Sequence, residues 1–360
     1  MTTLNRRSLM KAAGAAATLS MVGTAARAED KIKIGFIFLG PIGDYGWTWA
    51  HNKGREAVDA ALGDKVETIY VENVAEDASA IPLIRDLANQ GCKLIFTCSY
   101  GYMEQTLTVA KEFPDVKFEH CTGFKRADNV STYNSKFHEG RAVLGTIAGK
   151  MSKSGTLGYL GSYKVPEVVL GVNAFALAAQ KQNPAATVKL VLIDSWFDPP
   201  KEAAATDTLV NLGCDIVTTH TDSPGPLQIL EQKGLYGFGQ GADMSAFAPT
   251  AHLTAIEDIW GPYYVQRAQA IVDGAWTSTD TWDGMKEGTV VIAPYNAAIP
   301  ADVVALADAV QAGYKDGSYD IFTGPIFDQD GNEKVKAGEI MTLEQLASID
   351  WFVKGVESAT

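Results

Sequence analysis

Short apolar runs alternate with amphipathic stretches along the chain after residue 30. The apolar segments 32–39, 66–71 and 93–98 are bounded by polar residues and predict strands. The stretches 47–62 and 80–89 carry apolar residues at helical spacing and predict helices. An alternation of strands and helices predicts a parallel sheet with helices on both of its faces.

The same order of predicted elements starts again at Thr156. Gly91-Cys92-Lys93-Leu94-Ile95 is echoed by Gly213-Cys214-Asp215-Ile216-Val217, 122 residues later, and Gly35 is echoed by Gly158. Self-similarity over this length indicates two copies of one supersecondary unit. We therefore predict two doubly wound α/β units.

The two units are expected to be interleaved lobes. No Pro/Gly/Ser-rich linker separates them, and the extended segments 129–137 and 252–259 read as crossings between lobes. Ligands of such sheets bind beyond the carboxyl ends of the strands, so we expect a cleft between the lobes. The predicted boundaries are residues 29–130 with about 255–295 for lobe 1, 131–254 with about 296–330 for lobe 2, and 331–360 for a C-terminal hairpin end and helix.

Residues 1–28 have the composition of a signal peptide. Arg6, Arg7, Lys11 and Arg27 are the charged residues there, the middle is rich in alanine, and Ala26-Arg27-Ala28 is an A-x-A cleavage signal. The segment Asn5-Arg6-Arg7-Ser8-Leu9-Met10-Lys11 resembles a twin-arginine export signal. We expect export to the periplasm as a soluble protein after signal-peptide removal.

Composition and charge narrow the possible functions. The chain is 46% hydrophobic and 20% charged, with a net charge of −13, which repels nucleic acid.

The four cysteines lie in or beside apolar runs, so buried free thiols are favoured over disulfides; they are Cys92, Cys98, Cys121 and Cys214. No spacing of histidine or cysteine suggests a metal site or a catalytic triad, and Gly237 to Gly241 is expected to be a turn rather than a dinucleotide loop. We therefore expect no cofactor, no metal and no catalysis.

Several motifs together resemble the basic membrane protein (PnrA-like) family. They are Gly35-Phe36-Ile37-Phe38, Asp44-Tyr45-Gly46-Trp47, Phe113-Pro114-Asp115-Val116-Lys117-Phe118, Ala127-Asp128-Asn129-Val130, Phe137-His138-Glu139-Gly140, Trp196-Phe197-Asp198-Pro199-Pro200-Lys201 and the terminal Gly324-Pro325-Ile326-Phe327. The resemblance implies the type I periplasmic-binding-protein fold. It also implies a solute-binding component of an ABC importer, many of which take purine nucleosides, with a membrane permease and an ATPase as partners.

The expected cleft loops favour a flat, neutral ligand that is rich in hydrogen-bond donors. These loops contain no arginine, which disfavours phosphate and carboxylate ligands. Aromatic side chains can stack on a purine, and carboxylates can accept from its N–H groups. The candidate ligand-binding residues are Asp44, Tyr45, Trp47, Tyr100, Glu104, Trp196, Phe197, Asp222, Asp243 and Trp260.

The resemblance gives some of these residues specific roles. Aromatic residues at the positions of Trp47 and Trp196 clamp the base between the lobes in the family. Asp243 lies near the family's base-recognising carboxylate, and a helix N-cap is the alternative reading. Asp222 falls in the family's glycine-rich loop and Glu104 matches a family acid, for which a solvated helix face is the alternative.

Two departures from the family pattern concern the ribose. Nucleoside binders of the family carry an Asp-Asn pair after the first strand and a lysine after the second crossing, where this chain has Phe38-Leu39 and Glu257-Asp258. A purine nucleobase or related heterocycle is therefore the favoured ligand, with Trp260 a candidate to close that end of the pocket. A nucleoside binder, a monosaccharide binder and a periplasmic ligand sensor stay open as alternatives.

Overall fold

Two parallel sheets organise residues 31–43 and 45–358, which the computed structural model describes. The predicted signal peptide, residues 1–28, lies outside the described residues. Within the described residues, every helix falls short of the length and apolarity that a membrane crossing needs.

The first sheet forms the core of lobe 1. Its elements in chain order are β1 (Ile32–Ile37), α1 (Trp47–Leu62), β2 (Val66–Val71), α2 (Ala80–Asn89), β3 (Cys92–Thr97), α3 (Met103–Glu112), β4 (Lys117–Cys121) and β5 (Val130–Ser135). These strands pair in parallel in the order β2-β1-β3-β4-β5. The order reverses direction beside β1, which is the switch point where doubly wound sheets leave a crevice.

Lobe 2 repeats this construction. Its elements are α4 (Phe137–Met151), β6 (Thr156–Gly161), α5 (Pro166–Gln182), β7 (Thr187–Leu192), α6 (Pro199–Asn211), β8 (Ile216–His220), α7 (Gly225–Lys233), β9 (Tyr236–Gly241) and β10 (His252–Asp258). The strand order is β7-β6-β8-β9-β10, the counterpart of the order in lobe 1. The predicted fold class, a two-lobed type I periplasmic-binding-protein architecture, is confirmed.

Matching glycines show how closely the halves correspond. Gly91 and Gly213, 122 residues apart, both adopt a left-handed backbone, with φ of +88° and +87°. A Cβ on Gly35 would lie 2.9 Å from Leu87 Cδ1, and a Cβ on Gly158 would lie 3.3 Å from a methyl carbon of Leu209. In both lobes a glycine in the first strand thus allows a helix to pack closely. The predicted internal repeat is confirmed.

The chain passes between the lobes after Ser135, Asp258 and Asp283. The remaining elements are α8 (Gly261–Val272), β11 (Asp280–Asp283), β12 (Val290–Ile292), α9 (Ala301–Asp316), β13 (Ile326–Phe327), β14 (Glu333–Val335), α10 (Leu343–Ala347) and β15 (Val356–Ser358). Helix α8 packs on α1, and β11 extends the first sheet beside β5. Strands β12 and β15 flank the second sheet, while β13 and β14 form a hairpin. Interleaved crossings of this kind can act as a hinge between lobes.

The sequence-based interpretation of Gly237 to Gly241 as a turn is wrong, because these residues belong to strand β9. A Cβ at Gly237 would lie 2.5 Å from Leu230 Cδ1, and one at Gly239 would lie 2.9 Å from Ala255 Cβ. Glycine is needed here for close packing against α7 and β10, not for a turn.

The four cysteines are all buried free thiols, as predicted.

Candidate ligand site between the lobes

The lobes contact each other directly along the cleft. A Cβ atom on Gly46 would lie 2.4 Å from the backbone oxygen of Asp222 in the other lobe. A Cβ on Gly241 would lie 3.0 Å from the carbonyl carbon of Gly46. Trp196 Nε1 donates a hydrogen bond across the cleft to Glu76 Oε2 at 3.0 Å. These contacts define a closed cleft.

A cavity lies between the closed lobes. The lining residues are Leu39, Trp47, Ser99, Tyr100, Thr122, Glu167, Trp196, His220, Asp222 and Gln240. None of these residues is a lysine or an arginine, so the side chains that face a ligand are neutral or acidic.

Trp47 forms the wall of the cavity on lobe 1. It is the first residue of α1, and its Nε1 donates to the backbone oxygen of Cys98 at 2.6 Å. The edge of its indole packs on His51, with ring centroids 4.4 Å apart, and on Trp260 at 5.8 Å. The ring is therefore held by a buried aromatic cluster rather than left free to rotate.

Trp196 forms part of the wall on lobe 2, in the loop between β7 and α6. Its ring lies 5.5 Å from that of Tyr163 and 6.4 Å from that of His220. The hydrogen bond to Glu76 fixes the indole from the opposite lobe. Large aromatic rings from both lobes thus line one cavity.

A buried polar chain forms one side of the cavity. The Tyr159 hydroxyl lies 2.9 Å from His220 Nδ1, and His220 Nε2 lies 3.3 Å from Glu167 Oε1. Burial lowers the pKa of His220 well below its ordinary value, so the imidazole is neutral. Burial, reinforced by the charge of Asp258, raises the pKa of Glu167 to about 8. Near neutral pH the hydrogen-bonded side chains of Tyr159, His220 and Glu167 therefore bring little net charge to the cavity.

A second buried polar group lies behind Gln240. Arg141 in α4 donates through one terminal nitrogen to Gln240 Oε1 and through the other to Thr218 Oγ1 at 2.8 Å. Its guanidinium also lies over the ring of Tyr159, 5.3 Å from the centroid. The cation is fully buried and does not line the cavity, whereas its partner Gln240 does.

The family model of the PnrA-like ABC transporter substrate-binding proteins matches residues 31–314. The chain belongs to this family. A purine-binding protein of Brucella abortus is 53% identical over 94% of this chain and 96% of its own length. A protein of Haloferax volcanii, provisionally named as an ABC transporter glucose-binding protein, is 29% identical over 91% of this chain and 81% of its own. A solved ABC transporter solute-binding protein from Aeropyrum pernix superposes with a TM-score of 0.72 over 80% of this chain and 92% of that one, at 14% identity.

Four of the candidate residues predicted from the sequence line the cavity of this PnrA-like protein: Trp47, Tyr100, Trp196 and Asp222. Asp44, a further candidate, lies outside the described residues. The other candidates lie away from the lining.

Two aromatic candidates are exposed at the rim. Tyr45 is 41% exposed and stacks on Trp49, with ring centroids 5.8 Å apart, while its edge contacts Phe247 at 4.9 Å. Phe197, next to Trp196, is 36% exposed. Neither residue is among those that line the cavity.

Glu104, Asp243 and Trp260 have other partners. Glu104 pairs with Lys125 on the surface of lobe 1. The Asp243 carboxylate accepts from the backbone N–H of Ser245 at 2.8 Å, which is a local turn contact. Trp260 is buried and stacks on His51 with ring centroids 4.7 Å apart, so it supports Trp47 from behind the cavity wall.

Six further residues line the cavity that were not predicted from the sequence: Leu39, Ser99, Thr122, Glu167, His220 and Gln240. Their common feature is position, because most lie at or just beyond the carboxyl end of a strand. His220 is the last residue of β8, Gln240 lies one residue before the end of β9, and Thr122 follows β4 with a φ of +60°. Their position at the carboxyl ends of strands, where ligands of such sheets bind, is the sequence signal that could have indicated them.

Proposed function

We propose that this protein is the periplasmic solute-binding component of an ABC importer and that it captures a purine nucleobase between its lobes. It acts by binding and release, without catalysis. The closed form presents the trapped base to a membrane permease that is powered by an ATPase.

The observation that carries the proposal is the placement of Trp47 and Trp196. The two indoles come from opposite lobes and line one cavity. A purine offers two aromatic faces, and stacking contributes about 1–3 kcal/mol per base in comparable sites. An open cleft offers the ligand one ring at a time, so the second contact forms only on closure and couples binding to the closed state.

The polar lining fits a neutral heterocycle. Glu167 and Asp222 can accept from ring and exocyclic N–H groups, and among the described residues no lysine or arginine lines the cavity to hold a phosphate or carboxylate. The purine-binding relative, at 53% identity over nearly the whole chain, supports the same ligand class.

Departures from the family's sequence pattern favour a free base over a nucleoside. Glu257 and Asp258 stand where family nucleoside binders have lysine, and Trp260 fills the space behind Trp47. Asp258 is buried, and neither of its carboxylate oxygens has a hydrogen-bond partner among the described residues. None of these three residues lines the cavity, but acidic residues replace the lysine that serves the ribose in family nucleoside binders.

Isothermal titration calorimetry of the purified protein tests the proposal. Adenine, hypoxanthine, guanine and xanthine should bind more tightly than their nucleosides, than pyrimidines and than glucose. Binding of monosaccharides alone would overturn the purine assignment, and turnover of any bound base would overturn the non-catalytic role. If the binding protein is deleted from its source cell, uptake of radiolabelled base should fall. Unchanged uptake with a lost response to the base would indicate a ligand sensor instead.

A further inference from the structure

Two polar residues that line the cavity, Gln240 and Glu167, are hydrogen-bonded to Arg141 and His220 respectively, and each keeps one group to offer a ligand. We propose that Gln240 and Glu167 together read the hydrogen-bonding edge of the bound ring, Gln240 as a fixed donor and Glu167 as a fixed acceptor. The inference rests on the proposed function, because it names the residues that choose among purine-like rings in the same cavity.

Gln240 is a fixed donor because Arg141 determines which way its amide faces. A guanidinium has only donor groups, so the amide group that faces it is the carbonyl oxygen Oε1. Arg141 is itself immobile, since it is fully buried and its other terminal nitrogen is bonded to Thr218. The NH₂ group of Gln240 is then the group left for a ligand, and rotation of the amide would place two donors against each other.

Glu167 is a fixed acceptor because His220 occupies its other oxygen. A neutral imidazole carries one N–H and one lone pair, so His220 Nε2 can donate to an ionised Glu167 or accept from a protonated one at Oε1. The Tyr159 hydroxyl, 2.9 Å from Nδ1, can adjust to either tautomer because a hydroxyl both donates and accepts. When Glu167 is ionised, or carries its proton on Oε1 toward His220, Oε2 therefore accepts from a ligand N–H.

A donor and an acceptor in one small cavity select a ring that presents an acceptor atom beside an N–H group. The amidine edge of adenine and the lactam edge of hypoxanthine both meet this requirement. A ring that lacks the acceptor atom would leave the buried amide NH₂ unpaired, and a site of this kind rejects such an analogue strongly. Rings that differ by one nitrogen can therefore be distinguished without any charged contact.

The test combines variants of Gln240 with single-atom variants of the ligand. Wild type, Gln240→Glu and Gln240→Met are titrated with adenine, hypoxanthine and the 1-, 3- and 7-deaza analogues of adenine. Gln232→Glu, the same change on an exposed face of α7, is the matched control. Each Gln240 variant should weaken adenine binding by at least about tenfold, and the control should leave the affinity unchanged.

The deaza analogues identify the atom that Gln240 contacts. One of them should bind wild type about tenfold more weakly than adenine does and show no further loss with Gln240→Met, which is the signature of a coupled pair. Glu167→Leu should lose affinity, whereas Glu167→Gln, which keeps a carbonyl acceptor, should retain most of it. Thermal melting of each ligand-free variant shows whether it folds. The titrations of wild type with the deaza analogues do not depend on any variant, so they test the effect of one ring nitrogen even if a variant fails to fold.

Failure of this inference can be distinguished from failure of the proposed function. Wild type that binds purine bases with an affinity indifferent to both Gln240 substitutions, and to every deaza replacement, overturns this inference and leaves the proposed function standing. Wild type that binds none of the bases overturns the proposed function and this inference with it.

Discussion

Trp196 of lobe 2 is hydrogen-bonded to Glu76 of lobe 1, with Nε1 and Oε2 3.0 Å apart across the cleft. The other oxygen of Glu76 accepts from Ser99 Oγ at 2.5 Å and from the backbone N–H of Gly101 at 2.7 Å. The Glu76 carboxylate is thus held in place by groups of its own lobe, independently of lobe closure. Trp196 lines the ligand cavity as well, so one side chain takes part in both ligand binding and lobe closure.

Removal of this contact should weaken the closed state. Glu76→Ala removes the acceptor for Trp196 Nε1, and we expect affinity for a purine base to fall by about tenfold, the free energy of one good hydrogen bond. Small-angle X-ray scattering with excess ligand should show a larger radius of gyration than wild type. Glu76→Gln keeps a carbonyl acceptor and is the control; an Ala variant as tight and compact as wild type would contradict the coupling.

Gly46 is expected to permit closure rather than folding. A Cβ on Gly46 would lie 2.4 Å from the Asp222 backbone oxygen, which belongs to the opposite lobe. Gly46→Ala should therefore hinder the closed form and reduce affinity by about tenfold or more, while the apo protein melts near the wild-type temperature. Gly43→Ala in the same loop is the matched control, because a Cβ there meets no atom within 4 Å. Equal affinities for the two variants would show that the lobes can close around an added methyl group.

Trp47 and Trp196 should contribute to binding in a coupled way. Each Trp→Ala change should weaken binding of a purine base by at least about tenfold, because aromatic pairs contribute about 0.5–1.5 kcal/mol beyond the area they bury. The two losses should not add in a double-mutant cycle, since either ring alone leaves one face of the base in water. Trp→Phe at each position, which keeps a ring, should lose less. Native affinity in both folded Ala variants would mean that the indoles serve packing alone.

Glu139 should make stability depend on pH. Its carboxylate accepts from the backbone N–H of Met285 at 2.7 Å, and burial raises its pKa from 4.5 to about 7. The folded state then binds the proton more tightly than the unfolded state, so its contribution to the free energy of unfolding is full below pH 4.5 and is lost as pH rises through 7.

Glu139→Gln should cancel this loss. Relative to wild type, the variant should gain up to about 3 kcal/mol in free energy of unfolding between pH 5 and pH 8, measured by urea denaturation at both values. Glu112→Gln is the control, because its pairing with Arg85 lowers the pKa of Glu112 and keeps that carboxylate ionised at both pH values. A pH-independent difference between Glu139→Gln and wild type would show that Glu139 titrates normally.

The sequence alone predicted the architecture well. Strand and helix periodicity, with the echo of Gly91 in Gly213, determined two doubly wound units, and both glycines have the same left-handed backbone in the structure. Trp47 and Trp196 could also be placed at the cleft, because the carboxyl ends of parallel strands meet at one edge of a sheet. These features depend on residues near each other in the chain, where spacing and backbone preference act directly.

Only the tertiary structure decided the polar side of the site. Arg141 and Gln240 are 99 residues apart, and Glu167 and His220 are 53 apart, with no local pattern that links either pair. Each of these residues alone occupies an ordinary helix or strand position in the sequence. Its role in the site depends on the hydrogen-bond partner that lies next to it only in the folded protein. Closure is also a property of the folded chain, since the contact of Gly46 with Asp222 depends on how two separately built lobes meet. The periodicity of apolar residues predicts which face of a helix or strand is buried. Which side chains pack against that face depends on contacts between residues far apart in the sequence.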